Sequence, residues 1–129
     1  MGRLDVTFES KEGYLLVTAT GRVTFSEALA AYKRACDLTV EKGLDQILVD
    51  ALAVEGELST LERYDFGRTM AEYCKSRSIN PKVATVGKPP TITQDGFGAL
   101  VASNRGLTAE TFSDLQRALD WLNAFRRKT

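Results

Sequence analysis

Hydrophobic periodicity changes along this chain in an order that few architectures accommodate. Leu4, Val6 and Phe8 alternate with Asp5, Thr7 and Glu9, the period-two pattern of a strand with one buried face. Tyr14 to Thr20 is a more continuous apolar run and reads as a second, more deeply buried strand. Ser10-Lys11-Glu12-Gly13 between them reads as a turn, with Gly13 free to adopt positive φ. So short a connection forces antiparallel pairing. Thereafter helical spacing alternates with short apolar runs, giving the order strand, strand, helix, then strand and helix three times. Short connections in that order require right-handed crossovers and a parallel sheet. The expected fold class is α/β: a five-stranded, mostly parallel sheet with one antiparallel N-terminal edge strand, and four helices.

The helices carry their own punctuation. Thr24 with Glu27 has the spacing of a capping box, and Phe25, Leu29, Tyr32, Cys36 and Val40 follow at helical spacing until Gly43. Gln46 to Asp50 reads as a strand buried on both faces, and 51–58 as a loop carrying Glu55, Gly56 and Glu57. Ser59 with Glu62 is a second capping box, opening a helix whose expected inward residues are Leu61, Phe66, Met70 and Cys74. Asn80-Pro81 is expected to break it. Lys82 to Val86 is the fourth strand, closed by Gly87-Lys88-Pro89-Pro90. A third helix is expected from near Thr93, burying Phe97, Leu100 and Val101 and ending at Gly106 with positive φ. Thr108 to Phe112 is the fifth strand. The last helix turns Leu115, Ala118, Leu119, Leu122 and Phe125 inward and ends on Arg126-Arg127-Lys128, cations at the negative end of its dipole.

Composition removes several classes of function. The 129 residues fit one domain, 1–129. No apolar run approaches the roughly 20 residues of a membrane span, and the N-terminus has no apolar signal segment, so a cytoplasmic location is expected. Seventeen basic residues balance seventeen acidic ones. A neutral chain lacks the broad positive field that nucleic-acid binding requires. There is no histidine, which removes the commonest general base and metal ligand. Cys36 and Cys74 form no Cys-x-x-Cys motif, and both fall on apolar helix faces, so they are expected to be slow-reacting core residues. Neither a dinucleotide fingerprint nor a Walker A pattern occurs. No metal, no cofactor and no enzymatic activity are expected.

Several segments together resemble a known family. Gly21-Arg22-Val23-Thr24, Ile47-Leu48-Val49-Asp50, Asn104-Arg105-Gly106, Phe112-Ser113-Asp114 and Ala118-Leu119-Asp120-Trp121-Leu122 look like the bacterial STAS domains of the SpoIIAA-like group, whose fold is shared with CRAL-TRIO lipid-exchange domains. The resemblance extends over nearly the whole chain in element order. It implies a SpoIIAA-like STAS fold and regulation through protein–protein contact. In the anti-sigma-factor antagonists of that family, a serine closely following an aspartate after the third strand is phosphorylated by a partner kinase. Here Ala51 follows Asp50, no Asp-Ser-Ser-Gly occurs, and the next hydroxyl is Ser59. A divergent branch fits that departure.

Six residues stand out as site candidates. Ser59, Asp50, Glu55 and Glu57 would form a phospho-acceptor or partner surface, with Asp50 at the strand end where parallel sheets place ligand sites. Lys88 and Arg105 are candidate anion contacts. Each also has a plain structural role: Ser59 as a helix cap, Asp50 as an acceptor for loop amides, Arg105 as solvated charge. The expected function is a non-enzymatic regulatory module binding another protein, a homodimer being compatible with it. The alternative is a small apolar-ligand or lipid-binding domain of CRAL-TRIO type.

Overall fold

The structure is a computed structural model that describes residues 3–92 and 97–126, without the side chains of 97–100. Strands β1 (Leu4–Lys11) and β2 (Tyr14–Arg22) are followed by helix α1 (Phe25–Lys42), β3 (Gln46–Glu55), α2 (Thr60–Ser76), β4 (Lys82–Val86), α3 (Phe97–Asn104), β5 (Thr108–Phe112) and α4 (Leu115–Arg126). The sheet order is β1-β2-β3-β4-β5, with β1 antiparallel to β2 and every other pair parallel. The expected α/β architecture, with β1 at an edge, is what the chain adopts. On β1, Asp5, Thr7 and Glu9 are exposed while Leu4, Val6 and Phe8 are half-buried. Polar residues on an edge strand oppose pairing with another sheet.

Strand order decides which face each helix covers. Crossovers β2–α1–β3, β3–α2–β4 and β4–α3–β5 all step the same way, so right-handed connections put α1, α2 and α3 on one face. Helix α4 follows the last strand and is free to cover the other. The core divides accordingly. Leu15, Val17, Ile47, Val49 and Val83 face Ala35, Cys36, Met70 and Cys74 of α1 and α2. Leu48, Ala84 and Val86 face Ala118 and Leu122 of α4. Alternate residues of β2 and β3 serve the two sides, as a pleated strand buried on both faces requires. Gln46 Nε2 donates to the Leu122 carbonyl at 2.8 Å, fastening α4 to the start of β3.

Several boundaries differ from the sequence expectation. The first turn is only Glu12-Gly13, because pairing runs on to Lys11↔Tyr14; Gly13 has φ +90°. Residues 51–55 are strand, not loop. β3 continues past Asp50 because β2 accompanies it as far as Arg22↔Glu55, although β4 stops at Val86. At Thr24 the box is half made: its hydroxyl accepts from Glu27 N–H at 3.3 Å, but the Glu27 carboxylate takes the Thr24 O–H and approaches Leu4 N–H. Helix α2 ends through Arg77 and Ser78, the latter at φ +56°, before Asn80-Pro81 is reached. The α1 stripe is centred on Ala28, Ala35, Cys36 and Thr39, leaving Val40 at its margin, 48% exposed. The expected start of the third helix near Thr93 and the burial of Phe97 and Leu100 lie outside the described residues; Val101 is buried. Gly106 has φ +102°, and Leu107 N–H returns to the Ala102 carbonyl at 3.1 Å, the long bond of a glycine cap.

Candidate functional site

Beyond Val86, β3 overhangs its neighbour β4, and this overhang organises the C-terminal end of the sheet. A bulge lies between the Thr18↔Asp50 and Thr20↔Ala53 pairs. Such a bulge interrupts the ladder and leaves a backbone amide to satisfy. Asp50 does so, its Oδ1 accepting from Leu52 N–H at 3.1 Å. Thr91 Oγ1 donates to the carbonyls of Gly56 and Val54, at 2.6 and 3.2 Å. Arg63 Nη2 donates to the Pro90 carbonyl at 2.8 Å and lies 3.8 Å from Glu57 Oε2. The β3–α2 connection is thereby stitched to the segment following β4. Ile92 closes over Gly87, where any Cβ would collide with its Cγ1.

Ser59 stands exposed on this rim as the N-cap of α2. Its Oγ accepts from Glu62 N–H at 3.1 Å, and Glu62 Oε1 accepts from Ser59 N–H at 2.9 Å, so the capping box is complete. Glu57 and Ser59 share the exposed connection, and Glu55 is the exposed last residue of β3, with its carbonyl accepting from Val23 N–H at 3.0 Å. Asp50 is set back in the sheet and half-buried. Arg63, one turn into α2, is committed to Pro90 and Glu57. Lys88 is exposed after the C-terminal end of β4, whereas Arg105 precedes the N-terminal end of β5, so the parallel register sets them at opposite ends. Arg105 Nη2 donates to the Tyr64 hydroxyl at 2.8 Å, its guanidinium 5.6 Å from that ring's centre. Of the polar residues Thr91, Thr93 and Gln94 that follow Pro90, Thr91 falls among the described residues.

Leu61, expected to face inward, lies instead on the rim's outer side and is 69% exposed, and Tyr64 near it is 38% exposed. At about 100° per residue, Leu61 points about 180° away from Met70, which α2 buries, and Tyr64 follows on the same outer side. The capping box was the available signal: it fixes where α2 begins, and the phase of the buried Met70 and Cys74 then turns Leu61 outward.

Beneath α1 and α2 lies an apolar cavity of about 170 Å³, partly open, lined by residues that include Val17, Val49, Phe66, Met70, Cys36 and Cys74. Tyr32 borders it and shares a 2.7 Å hydrogen bond with Thr85; burial pushes its phenol up to about 12. The cysteine sulfurs are 3.7 Å apart. Sequence separation hid this, yet a signal was present. Cys36 and Cys74 stand at similar distances before Gln46 and Lys82, which pair in register. Among the described residues no group of three His, Cys, Asp or Glu is placed to hold a metal ion, and no helix is long and apolar enough to cross a membrane.

An anti-sigma factor antagonist from Mycobacterium paratuberculosis has a similar structure, with a TM-score of 0.60 at 16% identity over 94% of this chain and 95% of that one. So does an uncharacterised DUF3478-family protein from Shewanella loihica with a SpoIIAA-like fold, with a TM-score of 0.52 at 19% identity over 95% of each chain. The chain has the SpoIIAA-like fold. No protein-family model matches the sequence, and no curated protein matches it significantly. Within the SpoIIAA-like frame, the Ser59 rim occupies the connection between the third strand and the second helix, with Asp50 just below it.

Proposed function

We propose that this protein is a non-enzymatic regulatory module of the cytoplasm that binds another protein through the connection 56–59 and the first two turns of α2. The observation that carries this reading is the outward pair Leu61 and Tyr64, large hydrophobic side chains presented beside a fully made helix cap. A large apolar side chain on an outer helix face has no role in the core, and aromatic anchors such as tyrosine are enriched among the residues that carry binding energy at protein interfaces. Glu55, Glu57 and Glu62 give the surrounding rim negative charge, which suits a partner with a basic complement. The structural likeness to an anti-sigma factor antagonist supports an interaction role in the same direction.

Ser59 is the position at which such contact would be tuned. A phosphate there would sit at a helix N-terminus, where the dipole favours negative charge. The test combines partner capture with Ser59→Asp and Ser59→Ala. Asp retains an acceptor for the cap whereas Ala loses it at a cost of ~1 kcal/mol. Altered partner affinity in Ser59→Asp with unchanged melting supports tuning by charge. Unchanged affinity in both variants reduces Ser59 to a cap.

The cavity favours a second reading, a small apolar ligand. Its size decides which ligand. About 170 Å³ is close to the roughly 150 Å³ that accepts benzene and well below the roughly 300 Å³ at which pockets for larger ligands begin. A compact aromatic or short aliphatic molecule fits; a lipid chain does not.

A further inference from the structure

The two cysteines come from different helices yet meet in the core. Cys36 on α1 and Cys74 on α2 are each 1% exposed, and both are free thiols. A disulfide has its sulfurs about 2.05 Å apart, so from 3.7 Å two side chains need share only the remaining approach. A polar clamp holds the helices together at that level. Tyr73 O–H donates to Asp37 Oδ1 at 2.6 Å, and Arg77 Nη1 donates to the same oxygen. Asp37 follows Cys36 and Tyr73 precedes Cys74, so the clamp is adjacent to both sulfurs in the chain. Both cysteines also line the apolar cavity, which gives a small neutral molecule a way to them that a bulky thiol reagent lacks. The pair is asymmetric. The hydrogen bond between the two sulfurs, together with the charge of Arg77, lowers the Cys74 pKa, while that bond and burial raise Cys36.

We propose that Cys36 and Cys74 are a redox modification site, converted to an intramolecular disulfide by hydrogen peroxide that reaches them through the cavity. The Cys74 thiolate attacks one peroxide oxygen; the O–O bond breaks, and the departing hydroxide takes up a proton as water. Cys74 is then a sulfenic acid. The Cys36 sulfur, losing its proton, attacks the Cys74 sulfur; the S–S bond forms, the S–O bond breaks, and a second water leaves. Two thiols and one peroxide thus give one disulfide and two waters, with two electrons passing from the sulfurs to the peroxide.

The experiment treats the reduced, folded full-length chain with hydrogen peroxide and maps its peptides without reduction. The expected result is one linked peptide pair containing Cys36 and Cys74, in a monomeric chain lighter by two hydrogen atoms and restored by dithiothreitol. In Cys36→Ala the reaction is expected to stop at a Cys74 sulfenic acid, read as one added oxygen by intact mass. In Cys74→Ala no linked peptide is expected, because Cys36 is then the one remaining thiol. The proposal is overturned if both wild-type thiols survive while free cysteine in the same tube is consumed. It is equally overturned if they oxidise separately to sulfinic acids or link two chains. The deciding arm uses the wild-type protein, so a variant that fails to fold does not rescue the idea.

Discussion

Replacing Gly106 by Ala separates backbone strain from crowding. Gly106 ends α3 at φ +102°, and an ideal Cβ built there meets no atom within 4 Å. The side chain itself therefore costs nothing, and the whole penalty is conformational. Holding an L-residue in the left-handed region costs roughly 1–2 kcal/mol. Alanine also restricts the unfolded chain, which offsets about 0.4–1 kcal/mol. The net expectation is a loss of about 1 kcal/mol. Gly43 provides the internal comparison, because its Cβ is equally unobstructed but its φ of +68° and ψ of +30° lie closer to the conformation that L-residues tolerate. Gly43→Ala should therefore cost less than Gly106→Ala. Urea denaturation followed by circular dichroism reads both as midpoint shifts at constant slope. A neutral or stabilising Gly106→Ala, or a larger loss at Gly43 than at Gly106, would show that φ at Gly106 carries no strain for an L-residue.

Tyr32→Phe removes a hydroxyl hydrogen-bonded to Thr85 and should cost about 1 kcal/mol at neutral pH. Because the folded Tyr32 pKa is raised from 10 to about 12, the folded state holds its proton where the unfolded chain has lost it. The stability linked to this group is complete below pH 10 and lost as pH rises towards 12, so Tyr32→Phe should lose less stability than wild type over that window in pH-dependent melts. Gly87→Ala forces Ile92 aside and should destabilise by roughly 1–3 kcal/mol; additional Ile92→Ala should recover part of that loss in the same urea assay. The Cys36–Cys74 disulfide closes a loop long enough for a gain of up to about 4 kcal/mol in the chain-entropy account. The oxidised chain should therefore melt higher than the reduced one by calorimetry.

How far the sequence carried the fold depended on whether each signal was local. β4 was legible to the residue as a short, largely apolar run after Asn80-Pro81, and β5 as the extended stretch between the Gly106 cap and the last helix. The extension of β3 was not, because residues 51–55 are held by register with β2 across a bulge, a tertiary partner that no local pattern reveals. The capping box at Ser59 was complete, whereas the one at Thr24 lost its second half to competition: the Glu27 carboxylate is used by the Thr24 hydroxyl and the Leu4 amide. In the candidate site, Ser59 could be placed from its cap, whereas Asp50, read as the end of its strand, lies inside β3 beside the bulge. Electrostatic partners could not be placed in this way. Arg63 follows Ser59 by one turn of α2, yet the path of the segment after β4 engages it with Pro90. The cysteine contact likewise required knowing that α1 and α2 lie side by side on one face.

The most direct measurement of the interaction surface compares Leu61→Asp with Val40→Asp. Both replace an exposed hydrophobic residue by the same charge, one on the proposed face of α2 and one at the margin of α1, with exposures of 69% and 48%. The partner captured by the wild-type chain is titrated against all three proteins by calorimetry, with melting curves to establish that each is folded. Loss of an interface anchor costs about 2 kcal/mol or more, roughly thirtyfold in Kd. The account predicts a weakening of that order in Leu61→Asp and wild-type affinity in Val40→Asp. Equal affinity for all three folded proteins, or a loss confined to Val40→Asp, would contradict it.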